Sequence, residues 1–266
     1  MNGSVKIYMF IKFAARSDKG NIRKNNEDNL FCNGVIMNPD SLDKPFYLSG
    51  VAETPCVFAI CDGMGGEDCG EIASFTAIKT LTEHAEKIKS GTHESINNYV
   101  NDSAKCLRDI MREKNIRTGT TLALVVIKQD SFIACNLGDS RIYRISDGKL
   151  IRVTDDHTVA AEKMRMGLIT PAKAEHSPER NILTRCLGIY DDETEISPDF
   201  YGSFEINNND GILICSDGLT DMLSYKEIAE IITKYNEPDR IINNLVESAL
   251  NNGGFDNITC IYLRSA

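Results

Sequence analysis

The chain is short of the residues that soft-metal and disulfide chemistry need. It has only four histidines in 266 residues, and no two of its nine cysteines stand at C-x-x-C spacing. Without His or Cys at ligand spacing, a zinc site has no basis in the sequence. The cysteine count is odd, and Cys61, Cys135, Cys215 and Cys260 sit inside apolar runs. They read as reduced core thiols of a cytoplasmic chain. Basic charge is also scarce. Against 39 Asp and Glu there are 29 Lys and Arg, a net charge of −10 that argues against a nucleic-acid binder. The opening "MNGSVKIYMFIKFAARSDKG" has one short apolar stretch broken by lysines and no small-residue cleavage site, so it reads as neither a signal peptide nor a membrane span. No Pro/Ser-rich linker, low-complexity tract or solenoid repeat divides the sequence, and residues 1–266 read as one domain.

What is present is a series of short strand-like runs: "NLFCNGVI", "CVFAIC", "TTLALVVI", "SFIACNLG", "RIYRI", "GILICS" and "NITCIYL", most of them bounded by Gly, Asp or Asn. Apolar residues at helical spacing predict helices over about 70–89, with Ile72, Phe75, Ile78, Leu81 and Ala85 on one face, and over about 95–113, with Ile96, Val100, Leu107 and Ile110. A second pair is predicted near the C-terminus. There Ser224 and Glu227 form a capping-box pattern before "IAEIITKY", and Pro238 opens "DRIINNLVESALNN". Strands, helix pair, strands, helix pair and a final strand make an α+β arrangement without regular βαβ alternation, which favours antiparallel sheets covered by helices. The segment 158–187 reads as a surface flap, helical at "AAEKMRMG" and then an excursion. The segment 37–55 reads as an exposed insertion.

Apolar strands run into an acidic residue flanked by glycine at Asp62 ("VFAICDG"), Asp139 ("FIACNLGD") and Asp217 ("ILICSDG"). Asp256 immediately precedes the last strand, and Glu27 and Asp28 immediately precede "NLFCNGV". A buried carboxylate must be paired, hydrogen-bonded or metal-bound. If these strand ends meet at one rim, five or more carboxylates without Lys partners repel one another and need cations. Oxygen donors alone suit Mg²⁺ or Mn²⁺, and His84 and His93 read as surface helix residues. A carboxylate-rich two-metal centre is suited to in-line displacement at phosphorus, with a metal-bridging water activated as hydroxide. Arg23, four residues before Glu27, is then the natural phosphate clamp. Each signal alone has an ordinary structural explanation. A D-G pair after a strand is usually a turn, as "ISDGKL" at 145–150 is read to be. Asp139 can salt-bridge Arg141, and Arg23 can be a solvated cation.

Taken in order, "GNIRKNNEDN", "DGMGGEDCGEIAS", "TGTTLALVVI", "NLGDSRIYRI", "DDHTVA", "RNILTRCLG", "SDGLTDML" and "GGFDNITCIYL" extend over nearly the whole chain. They resemble the metal-dependent protein phosphatase (PPM) family, the type 2C Ser/Thr phosphatases, in its bacterial single-domain form. The resemblance implies a β-sandwich of two mainly antiparallel sheets flanked by helix pairs, and hydrolysis of phosphoserine and phosphothreonine monoesters. It implies that Asp62 bridges two Mg or Mn ions, that Glu27 and the Gly63 carbonyl complete one ion's protein ligands, and that Asp217 and Asp256 hold the other. By the same resemblance Asp28 orients the attacking water, Arg23 binds the substrate phosphate, and Asp139 and Asp221 hold a third, weaker ion. Gly65 and Gly66 are expected to turn the chain away from this centre. Many eukaryotic members carry His two residues after the bridging Asp as a proposed general acid, and Met64 stands there in this chain. A thioether has no proton to donate, so leaving-group protonation falls to water.

Partners implied are phosphorylated proteins and an opposing Ser/Thr kinase, with no nucleic acid, no membrane and a monomeric state. Two other readings remain open from sequence. One is a catalytically silent binding module of the same fold, which loss of a metal carboxylate would favour, and none is lost. The other is a two-metal nuclease, against which the negative net charge weighs.

Overall fold

A computed structural model of the chain describes residues 9–39, 44–65, 69–189 and 196–265. Gly66, and residues 40–43 of the 37–55 segment, lie outside the described residues. The chain opens with β1 (Phe10–Asp18), β2 (Asp28–Cys32), β3 (Val35–Ile36), β4 (Phe46–Glu53) and β5 (Cys56–Gly65), followed by helices α1 (Gly70–Ile88) and α2 (His93–Lys114). Next come β6 (Thr118–Thr120), β7 (Leu122–Ile127), β8 (Ser131–Leu137), β9 (Arg141–Ser146), β10 (Lys149–Arg152), α3 (Val159–Arg165), α4 (Pro171–Glu175), β11 (Leu187–Gly188), β12 (Asp199–Glu205) and β13 (Gly211–Cys215). The short α5 (Asp217–Thr220), then α6 (Tyr225–Lys234), α7 (Pro238–Asn251) and β14 (Ile258–Ser265) complete it.

The strands form two antiparallel sheets. One is six-stranded in the order β10-β9-β13-β14-β1-β4, and the other eight-stranded along β11-β6-β5-β7-β8-β12, with β2 and β3 joined to it through β5. Strand alternation assigns the core. On β5, Phe58 and Ile60 pack between the sheets with Ile212, Ile214, Ile261 and Leu263. The intervening Val57, Ala59 and Cys61 face α1 and α2. On the opposite outer face Leu213, Cys215, Cys260 and Tyr262 pack under α6 and α7. The inner strands are therefore buried on both faces, which is why "CVFAIC" and "GILIC" are continuous apolar runs. Each large side chain so buried contributes about 1.5–3 kcal/mol.

Both expected helix pairs form, with adjustments. The packed face of α1 is Ala73, Ala77, Ile78 and Leu81, while Ile72 and Phe75 are half-buried. The small alanines let the helix lie close on the sheet. On α2, Tyr99, Ala104 and Met111 join Ile96, Val100 and Leu107, and Ile110 is half-buried. The Ser224–Glu227 capping box is made in both directions. "ISDGKL" is a hairpin turn with Asp147 and Gly148 both at positive φ.

Three of the longer strands escaped the sequence reading, as did the short β11. The lysine-broken opening is β1, whose Ile11, Phe13 and Ala15 face the core while Lys12 and Arg16 point outward. The 37–55 segment is largely exposed, as expected, but it carries the edge strand β4, paired with β1 along its length, with Met37 and Ala52 buried. The third is β12, on the edge beside β8. The 158–187 segment is largely exposed, as expected, and contains the second short helix α4 where an irregular excursion was expected.

Candidate active site

The carboxylates do meet at one rim of the sandwich. The β2–β5 register sets Asp28 directly opposite Asp62. The Asp62 backbone is clamped where β5 changes partner from β7 to β6. Its N–H donates to Thr121 Oγ1 at 2.9 Å, and its carbonyl accepts from the Thr121 N–H and from Thr120 Oγ1, each at 2.9 Å. Gly63 follows with its N–H on the Glu27 carbonyl at 3.1 Å, and the Gly70 N–H donates to Glu27 Oε1 at 3.1 Å. A Cβ at Gly63 would lie 2.2 Å from the Gly70 carbonyl oxygen, and one at Gly70 would lie 2.8 Å from Glu27 Cδ. Glycine at both positions is what lets the three backbones converge.

The other half is assembled around Asn257. Its Oδ1 accepts the Glu27 N–H at 2.8 Å, and its Nδ2 donates to the carbonyls of Lys19 and Asn25 at 2.9 Å each. This side chain holds the loop carrying Arg23 and Glu27 against the segment carrying Asp256. Ser216 donates to Asp28 Oδ2 at 2.9 Å and accepts the Thr259 N–H at 3.0 Å, fixing Asp28 beside the start of α5 and Asp217. Gly218 allows that start to sit on Asn257, because a Cβ there would lie 2.0 Å from the Asn257 carbonyl oxygen. Asn257, Ser216, Thr120 and Thr121 were not among the sequence candidates, although each stands beside or within a quoted motif.

Burial pushes Asp28 up to about 7 against the opposing Ser216 and Thr259 hydrogen bonds. Asp62 is raised well above the usual carboxylate range by burial and then by Asp28, Asp217, Asp139 and Asp256. Asp217 is raised likewise by burial and then by Asp139, Asp256, Asp221 and Asp28. Asp139, 7% exposed, is pushed up to about 7 by burial and by Asp156. Arg141 does not neutralise Asp139 through a salt bridge: it forks onto Asp156 at 3.1 and 2.8 Å. Arg23 reaches the cluster and bonds Asp256 Oδ2 at 2.6 Å, and Asp256, Glu27 and Asp217 outweigh its partial burial to strengthen its charge. Asp221 accepts from Arg180 at 2.8 Å and from Asn181 at 3.3 Å, both on the 158–187 segment. Among the described residues no three His, Cys, Asp or Glu side chains are already drawn into a chelating group. Two of the carboxylates face arginines instead.

From the carboxylates a cleft of about 330 Å³ runs between the 158–187 segment and α6, lined by Asp139, Asp217, Asp221, Met164, Arg180 and Ile228 among others. His157 anchors the near end of that segment. Its ring is fully buried, Nδ1 accepts the Gly138 N–H at 3.1 Å, and Nε2 meets Asp199 Oδ2 at 3.0 Å. Of the histidines expected at the surface, His93 is exposed and stacks on Phe200, while His84 is half-buried against Asp102.

The sequence profile described as Protein phosphatase 2C matches residues 38–246. The chain belongs to the protein phosphatase 2C family. It is a protein phosphatase of the PPM type. The serine/threonine phosphatase stp of Listeria monocytogenes is 31% identical to it over 255 residues, 92% of each chain. The protein phosphatase PhpP of Streptococcus pneumoniae is 34% identical over 218 residues, 80% of this chain and 86% of that protein. Among solved structures, the PPM Ser-Thr phosphatase MsPP of Mycobacterium smegmatis, in complex with cacodylate, is similar with a TM-score of 0.77 at 31% identity over 96% of this chain and 98% of that one. The catalytic domain of the phosphatase PstP in complex with two manganese ions is similar with a TM-score of 0.76 at 27% identity over 97% and 99%. The two antiparallel sheets with flanking helices are the fold of these PPM phosphatases, and metal dependence comes with the family.

Proposed function

We propose that this PPM phosphatase hydrolyses phosphoserine and phosphothreonine monoesters in proteins, at a centre that binds two Mg or Mn ions. The carrying observation is the crowd of carboxylates at one rim, Asp28 and Asp139 buried and Asp62 and Asp217 half-buried. Burial raises the pKa of Asp62, Asp217, Asp28 and Asp139, and nearby carboxylates raise each further: Asp28, Asp139 and Asp256 act on both Asp62 and Asp217, Asp256 acts on Asp28, and Asp156 and Asp221 act on Asp139. Asp28 Oδ1 is buried with no hydrogen-bond partner. An all-oxygen donor set of this kind fits hard divalent cations. Asp62, Glu27 and the Gly63 carbonyl, together with Asp217 and Asp256, are the residues that would hold them, with Asp139 and Asp221 for a third. Bound there, the ions supply charge neutralisation and water activation for in-line displacement at phosphorus.

The chain's own residues do the rest. Arg23, its side chain 47% exposed at the rim, grips two phosphate oxygens when it turns from Asp256 to the substrate. Asp28, anchored through Oδ2 by Ser216, uses Oδ1 to orient the attacking water. Met64 presents a thioether beside the centre, so the leaving alkoxide takes its proton from solvent. Residues 1–266 act as one cytoplasmic, monomeric domain opposing a Ser/Thr kinase.

The test is phosphate release from a phosphothreonine peptide with Mn²⁺ or Mg²⁺, beside a chelated sample and an Asp217→Ala variant. Release that vanishes in both controls supports the proposal. No release from folded protein with either metal would leave the fold as a silent binding module.

A further inference from the structure

The loop bearing Arg23 and the loop bearing Asp256 are laced together on both sides of one residue in each. On one side the Asn21 N–H donates to the Gly254 carbonyl at 2.8 Å, and Asn21 Nδ2 donates to the Leu250 and Gly253 carbonyls at 2.9 and 3.0 Å. On the other side Arg23 bonds Asp256 at 2.6 Å. Between these two rungs stand Ile22 and Phe255, 65% and 60% exposed. Left-handed Gly20 and Gly254 shape the two loops, and a Cβ at Gly20 would lie 2.3 Å from the Asp256 carbonyl oxygen. The Phe255 ring is laid over Gly253, its Cζ 2.8 Å from where a Cβ would stand. The Asn21 bonds and the close packing of Gly20 on Asp256 hold the two loops together even when Arg23 turns to the substrate, so the backbone that carries the two apolar side chains is set before anything binds.

An exposed apolar residue alone needs no explanation. Here two large ones share a preordered rim, each next in sequence to a member of the Arg23–Asp256 pair. We propose that Ile22 and Phe255 form an apolar shelf that receives an apolar side chain flanking the phosphorylated residue of a protein substrate. The inference rests on the reading of Arg23 as the phosphate clamp. Successive residues of an extended peptide advance only about 3.3–3.6 Å, so a phosphate on Arg23 brings its sequence neighbours over the shelf. Rigid placement spares the ordering entropy that weakens contacts made by mobile loops.

The test compares phosphothreonine peptides that differ only in carrying Leu or Gly beside the phosphothreonine, varied separately on its N- and C-terminal sides, with the Mn²⁺-loaded chain. The expected result is that Leu raises kcat/KM by about tenfold on one side, the scale of an apolar contact in a substrate site. Ile22→Ser and Phe255→Ser should bring that ratio close to one, while Phe255→Leu keeps most of it. A ratio near one on both sides, or one unchanged in both serine variants, would overturn the shelf and leave the phosphatase reading standing, since the peptides are still hydrolysed. Hydrolysis of no peptide would overturn both.

Discussion

Asn257→Ala is the substitution that most sharply probes how this centre is held. The side chain is 4% exposed overall and makes three hydrogen bonds, to the Glu27 N–H and to the Lys19 and Asn25 carbonyls, at 2.8, 2.9 and 2.9 Å. Each is worth about 1 kcal/mol net, and truncation leaves three backbone groups without those partners. The expected loss is therefore roughly 3 kcal/mol, a large share of the ~5–15 kcal/mol that holds a typical domain. For a chain of this size that corresponds to a fall in Tm of roughly 6–12 °C. Thermal and urea melts of the variant and the native protein measure it. Hydrogen exchange should locate the damage, with amides of 19–27 losing protection while those of β5 and β7 keep theirs. A variant that melts within about 1 kcal/mol of the native protein, with 19–27 still protected, would refute the claim that Asn257 ties this loop down.

Other substitutions test neighbouring parts of the argument. Gly218→Ala places a Cβ 2.0 Å from the Asn257 carbonyl oxygen and should cost about 1–3 kcal/mol with loss of turnover, whereas Gly148→Ala, with open space around it, should cost only about 1 kcal/mol in thermal melts. Burial and then Arg185 lower the pKa of His157. As pH falls through the ordinary imidazole value of about 6.5, the unfolded chain takes up a proton that the folded chain refuses. Urea melts should show a loss of stability from pH 7 to 5 that is smaller in His157→Gln. Arg23→Ala should lower kcat/KM on phosphopeptides by about 10–100-fold, the equivalent of ~1.5–3 kcal/mol for a charge-assisted contact, as read in steady-state kinetics.

How far the fold was legible in sequence depended on where each strand lies. β5, β7 and β13 are buried on both faces and stand out as apolar runs. β1 and β4 interleave core residues with Lys12, Arg16, Tyr47 and Glu53, so their alternation passed for a polar opening and an insertion. Helix bounds were close, but the packed face of α1 turned on alanines, which carry little periodic signal. Cysteines followed the same logic: Cys61, Cys135, Cys215 and Cys260 are buried, while Cys106 is exposed. In the site, the acidic residues announced themselves by standing at strand ends beside glycine. Their supports did not, because the bonds joining Ser216 to Asp28 and Asn257 to Glu27 cross 188 and 230 positions. Nothing local marks such a partner until the chain is folded.

Whether the rim of carboxylates binds divalent ions is read by a calorimetric titration of Mn²⁺ into chelator-treated protein. At least two ions should bind per chain, with the tight sites lost in Asp62→Ala while far-ultraviolet circular dichroism stays native. Folded native protein that binds no Mn²⁺, or an Asp62→Ala variant that binds it as the native chain does, would contradict that expectation.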